Sequence, residues 1–248
     1  MANSINVQLW GLSLSLTSIW GSEKDFEIIE RFKPFWKNVK KGKLNLTKEI
    51  LQGIPESSSS FFKKQVDEKI SSFLNDTFNI SDENSCIICI KHLFNGSNLK
   101  KSFEEKRRLF VSIPQKDRAY FINSFSKNRM EFCQYSIINQ YGKYLPSAGI
   151  LAYDISNCIS ICRLGLYMGY LNESSLQKYL NTLAKLAQEN YCDFEEFGLA
   201  STVGVLYSLN GYDNDVYSHY LNNLTIALTN PESPWNNIDW NIDLSKSF

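Results

Sequence analysis

The chain has no excess of charge of either sign, since 26 Lys and Arg residues are matched by 26 Asp and Glu. The overall field therefore gives no support for a nucleic-acid partner, whose phosphates reward a basic excess. The densest basic runs, Lys37 to Lys43 and Lys100 to Arg108, are short, and Glu104 and Glu105 break the second, so both read as solvated faces or loops. Long apolar runs are also missing. Val7 to Trp20 is interleaved with Ser13, Ser15, Thr17 and Ser18, and no positively charged stretch precedes it. Neither an export signal nor a membrane span is expected, and the protein reads as cytoplasmic with no membrane partner. The six cysteines lack a regular disulfide spacing and fall in apolar or helical contexts, which suits a reducing compartment and inert thiols. There is no internal repeat, no series of hairpin turns, no phosphate-cradling glycine loop and no HExxH or GxSxG pattern.

What is present is helical punctuation around large apolar side chains. With 248 residues, 43% hydrophobic and 14% aromatic, the chain can bury a substantial core without a disulfide or metal staple. Asn6 to Trp20 reads as a helix, and Ser22-x-x-Asp25 reads as a capping box ahead of Phe26, Ile28, Ile29 and Phe32. Asn45 to Gln52 adds a turn or two, and the serines at 57–60 lead into a helix through Val66, Ile70 and Leu74. Ser81-Asp82-Glu83 opens a helix that Asn95-Gly96 ends, with helical character resuming over Leu99 to Val111. Pro114 suits the first turn of one long helix carrying Tyr120, Phe121, Phe125, Phe132 and Ile137, broken at Tyr141 to Pro146. Leu176 to Tyr191 has the cleanest amphipathic spacing.

Asp193-x-x-Glu196 is a second capping box, and its helix carries Gly198, Ala200, Ser201 and Gly204, small enough for a neighbouring backbone to approach. Asn210-Gly211 ends it. A last helix runs from about Asp213 to Asn230-Pro231, and the tail with Trp235 and Trp240 is expected to pack back. The expected fold is all-α, one multi-helix domain over residues 1–248 around a buried central helix at about 147–171.

That central segment carries a carboxylate in an awkward place. At about 100° per residue, Asp154 falls in an apolar arc with Ile150, Leu151, Cys158, Ile161, Gly165 and Met168. Buried without a partner it would cost several kcal/mol or change its protonation, so it needs a cation or N–H donors. Arg163 falls on the opposite, polar side with Ser156 and Ser160 and cannot serve it within the helix, which leaves Arg118, Arg129 or the indole N–H of Trp235 or Trp240. Asp154 and Arg163 either line a pocket, with Asp154 as a general base of raised pKa, or form a buried polar tie between helices, and the tie is favoured.

The other constellations are weaker. Cys86-x-x-Cys89 with His92 has no second Cys/His pair in sequence to complete a tetrahedral metal site, and Cys158 and Cys162 read as packing. Asp215 and His219 stand one turn apart with no nucleophile beside them, and Glu196 is engaged at a helix start although Glu195 adjoins it. No cofactor and no metal is indicated.

Three motifs occur together in order: Gly149 to Asp154 with Arg163, Gly165 and Gly169 to Leu171; Asp193 to Phe197 with Gly204; and Asn230 to Trp235 with Trp240. Together they resemble the bacterial YbeU/YbeR-like family, DUF1266, a domain of unknown function, over about residues 145–240, with 1–144 a more divergent helical half. The family pattern carries a basic residue where this chain has Asn157, another where it has Val205, and a tryptophan where it has Phe194. The resemblance supplies no reaction. It implies genes near toxin or effector loci, hence an immunity or accessory role. Two expectations follow: a non-enzymatic cytoplasmic binding protein that neutralises a toxin or effector partner, or an enzyme acting on a nucleotide or peptide at Asp154 and Arg163.

Overall fold

The computed structural model describes residues 2–18, 20, 23–56, 59–209 and 214–246. The chain runs α1 (Ala2–Ser13), α2 (Glu23–Arg31), α3 (Phe35–Lys40), α4 (Lys48–Gln52), α5 (Ser60–Phe78), α6 (Glu83–Phe94) and α7 (Asn98–Val111). It continues through α8 (Arg118–Asn123), α9 (Arg129–Tyr141), α10 (Leu151–Met168), α11 (Glu173–Asn190), α12 (Phe194–Ser208), α13 (Asn214–Thr229) and α14 (Pro234–Asn237). No strand occurs among the described residues, and the fold is a single all-α domain.

The domain is built around α10. Every side chain from Leu151 to Gly165 is buried, polar ones included, because α6, α11 and α12 and the turns that follow α1 enclose it on all sides. Small residues bring α12 close. A Cβ on Gly204 would lie 2.3 Å from Tyr153 Cβ of α10, and one on Gly198 would lie 2.7 Å from the Trp235 ring. The tail does pack back. Trp235 stacks on Phe194 at 5.2 Å and 11°, and Trp240 meets the same ring edge-on at 4.9 Å and Trp10 at 5.0 Å.

Local signals set most helix ends. Asp82 accepts from Ser85 N–H (2.7 Å) in a reciprocal capping box, Asn172 caps α11 through Ser175 N–H (2.9 Å), and Asp193 accepts from Glu196 N–H (2.7 Å). Glu196 answers one residue early, taking Cys192 N–H at 2.8 Å. Tyr191, just past α11, donates its hydroxyl to Gly149 O (3.2 Å) and accepts Ala152 N–H (2.7 Å), tying down the open first turn of α10.

Two helices are shorter than the periodicity suggests. The first ends at Ser13 and not at Trp20, because Ser13 and Ser15 hydroxyls bond back to Trp10 O and Leu12 O and the chain turns through 14–18. The segment after Pro114 divides into α8 and α9. Ser124 bonds to Phe121 O, and Asn128 caps α9 through Glu131 N–H. Tyr120, one of the apolar positions of that expected helix, is 82% exposed. Ser22, Asn210-Gly211 and Asp213 lie outside the described residues.

Candidate functional site

The two charged residues of α10 face different parts of the molecule. Arg163 reaches across to the N-terminal elements, where each of its five N–H groups meets an acceptor. Nη1 donates to Ser15 Oγ (2.7 Å) and Asp25 Oδ2 (2.9 Å), Nη2 to Asp25 Oδ1 (2.5 Å) and Ile50 O (3.1 Å), and Nε to Leu51 O (3.2 Å). The fork is thus bidentate to a carboxylate and also caps the carbonyl end of α4. Gly53, which follows α4 at φ +67°, serves two needs, since any Cβ there would sit 2.4 Å from Arg163 Nη2.

The polar side of α10 is therefore covered by protein. Ser156 Oγ donates to Leu14 O (2.7 Å), Ser160 meets Ser18 Oγ (2.7 Å), and Ser201 of α12 donates to Thr17 O (3.3 Å). The serines that interrupt the apolar stretch before Trp20 are the counterparts of the serines on α10. A polar seam between these two segments satisfies backbone groups that a turn buried in the core would otherwise leave open.

Asp154 sits toward the other end, against the junction of α6 and α7. Its Oδ2 accepts the backbone N–H of Ser97 (2.8 Å), the N-cap residue of α7, while Oδ1 has no hydrogen-bond partner. The carboxyl lies at the positive end of a helix, which favours its charged form, as do Lys100 and His92 nearby. Burial outweighs them and raises its pKa above the ordinary value. The donor is a backbone amide and not one of the side chains considered from sequence. Arg118 Nε donates to Ile113 O and lies over the Phe110 ring, and Trp235 Nε1 donates to Ser13 O at 3.2 Å. Trp240 stands in the aromatic cluster with Trp10 and Phe194.

The cysteine pairs lie on facing helices, which the sequence alone did not show. Cys158 Sγ donates to Ile90 O of α6 at 3.9 Å, and Cys86 Sγ packs where a Cβ on Gly165 would come within 3.1 Å. Burial pushes the Cys86 thiol up to about 12 and Cys89 to about 11, and holds Cys162 well above the usual thiol range. Such thiols are poor nucleophiles. Among the described residues no three His, Cys, Asp or Glu side chains are grouped to hold a metal ion. His219 Nε2 lies 3.2 Å from Asn223 Nδ2, one turn along α13.

Two small cavities, of about 30 and about 10 Å³, adjoin Arg163. A larger groove of about 550 Å³ lies between α4, α5 and the end of α10, where Tyr167 donates to Asp67 Oδ1 at 2.6 Å. Neither these nor an open cleft beside Cys192 and Trp240 is lined by Asp154.

Residues 73–240 match the family described as Protein of unknown function (DUF1266). The chain belongs to DUF1266. The match begins at residue 73, well before the 145–240 stretch that carries the motifs, so α6 to α9 are part of the DUF1266 domain along with the helices around α10. No curated protein and no solved structure matches the chain. Asp25, Ser15 and Ser18, which Arg163 and Ser160 need, lie outside the DUF1266 match and come from the N-terminal elements. Sequence reasoning assigned Asp25 to a helix cap and passed over Ser97, because neither partner is near α10 in sequence. The only available signal was that a buried arginine demands a carboxylate.

Proposed function

We propose that this DUF1266 protein is a non-enzymatic binding protein of the bacterial cytoplasm, which neutralises a toxin or effector by direct contact with it. The observation that carries the reading is the complete engagement of Arg163. All five of its donors are consumed inside the fold, so the guanidinium has none left to orient a substrate. Asp154 and Arg163 serve separate junctions, which suits two ties better than one polar pocket. Aromatic side chains at the surface, Phe61, Phe62 and Tyr120 among them, are of the kind enriched where proteins meet, which supports a binding role.

The test is to co-express the protein with the product of the adjacent gene. Rescue of growth and a complex that survives gel filtration are expected. Failure of both removes the immunity reading. A second reading, an enzyme acting on a nucleotide or peptide, is favoured only by the unpartnered Oδ1 of Asp154 and its raised pKa. On that reading Asp154→Asn folds normally and loses activity or ligand binding, whereas on the binding reading it alters stability alone.

A further inference from the structure

Charge is distributed along this chain far less evenly than its total suggests. Residues 31–48 hold Arg31 and six lysines, from Lys33 to Lys48, and no Asp or Glu, in a protein with 26 residues of each sign. Everything outside that stretch therefore has 19 basic residues against 26 acidic ones, a formal net charge of −7. The molecule has a basic lobe on an acidic body.

The fold turns the stretch into a surface. Phe35, Trp36 and Val39 put one side of α3 into the core, and Trp36 Nε1 donates to Glu232 O at 2.9 Å, which leaves Lys37 and Lys40 on the outer side. Beyond α3 the chain turns through Lys41, Gly42 (φ +64°) and Lys43, closed by Lys43 N–H on Asn38 O at 2.9 Å, and re-enters the core at Leu44. All the basic side chains of the stretch are exposed. Arg31 and Lys33 are paired with Glu49 and Glu30. No carboxylate of the described residues lies within 4.0 Å of Lys37, Lys40, Lys41, Lys43 or Lys48.

The end of a helix accounts for one or two such lysines, which complement its carbonyls. Four unpaired cations gathered on one short helix and its turn, Lys37, Lys40, Lys41 and Lys43, instead repel one another, and that repulsion is relieved when opposite charge arrives. We infer that this lobe, formed by α3 and its following turn, docks an acidic face of a partner protein, an inference that rests on the binding role proposed above. Phosphate-rich polymers fit it less well. Its single arginine is already spent on Glu49, and of its three aromatic rings Phe35 and Trp36 are buried and Phe32 packs half-buried against the core, which leaves no open ring face for bases to stack on. A bilayer fits less well too, because none of the protein's exposed large hydrophobic side chains falls within 31–48. Rim cations of this kind act chiefly on association rate and give strong salt dependence.

The test uses the whole chain, a fluorescent oligoglutamate peptide, a short duplex DNA and vesicles containing phosphatidylserine. One variant, K37E/K40E/K41E/K43E, reverses the lobe. A matched control, K116E/K127E/K178E/K185E, makes the same charge change at exposed lysines elsewhere. Circular dichroism confirms that both variants fold. The peptide is expected to bind the natural protein, to weaken roughly tenfold between about 0.05 M and about 0.3 M salt, and to be lost from the lobe variant but not the control. Absence of binding, equal loss in both variants, or tighter binding of the DNA or vesicles overturns the inference. The same variants in the co-expression assay separate this inference from the broader role. A complex indifferent to lobe reversal leaves the binding role standing and removes the lobe, whereas absence of any complex removes the role and leaves the peptide result to judge the lobe.

Discussion

Asp154 and Arg163 are both buried charges, but they are held in opposite ways. Arg163 has a bidentate carboxylate and three further acceptors, so losing it would strand Asp25 and two carbonyls away from water. Arg163→Ala is expected to cost about 3–5 kcal/mol in urea unfolding. Arg163→Lys should recover only part of that, because an ammonium has three donors and no planar fork. Asp154 has one amide donor, and burial raises its pKa from 3.8. The folded state therefore holds its proton more tightly than the unfolded chain does. Its stabilising contribution is complete below the unfolded value and is lost as pH rises through the raised folded value. Asp154→Asn, neutral throughout, should thus gain on the natural protein between about pH 4 and about pH 7. Unfolding midpoints at the two ends of that range would show it, and a gap moving the other way would mean that Asp154 is ion-paired.

Among the elements, glycine sorts the helix contacts by how tightly they close. At Gly204 a methyl group would be driven to 2.3 Å from Tyr153 Cβ, with backbone behind both atoms, so α10 and α12 would have to part. Gly204→Ala should cost about 1–3 kcal/mol or more in thermal unfolding. Gly11, in the last turn of α1, has Leu180 at an ordinary 3.7 Å, so Gly11→Ala is expected to be neutral or to stabilise by less than about 1 kcal/mol. If the two substitutions proved equal, the close approach of Gly204 to Tyr153 would not be what holds α12 against α10.

For the whole molecule, the family and the fold have different limits. The DUF1266 match starts at residue 73, yet α10 makes its buried polar contacts with Leu14, Ser15, Ser18, Asp25 and the end of α4. A fragment of residues 73–248 would open Ser156, Ser160 and Arg163 to water along with the apolar side chains between them. It is expected to lose cooperative unfolding, measurable as a missing sharp transition by circular dichroism and strong binding of a hydrophobic dye. A fragment that unfolded as sharply as the full chain would make the N-terminal elements an accessory to the domain. Among the described residues no helix is long and apolar enough to cross a membrane.

Much of this architecture was legible in the amino-acid sequence because it depends on near neighbours. The caps at Asp82 and Asp193, the small residues of α12 and the apolar surround of Asp154 are written within a few positions of where they act. Arg163 was likewise excluded from Asp154 by the helix period alone. What only the tertiary structure decided is which distant groups meet the buried polar ones. Asp25 lies 138 residues from Arg163, Ser97 lies 57 from Asp154, and Ser18 lies 142 from Ser160. A helix wheel gives the direction in which a side chain points. The charge or amide waiting there comes from the packing of other helices, and that is why the serines before Trp20 first read as interruptions and are instead the polar lining of the core.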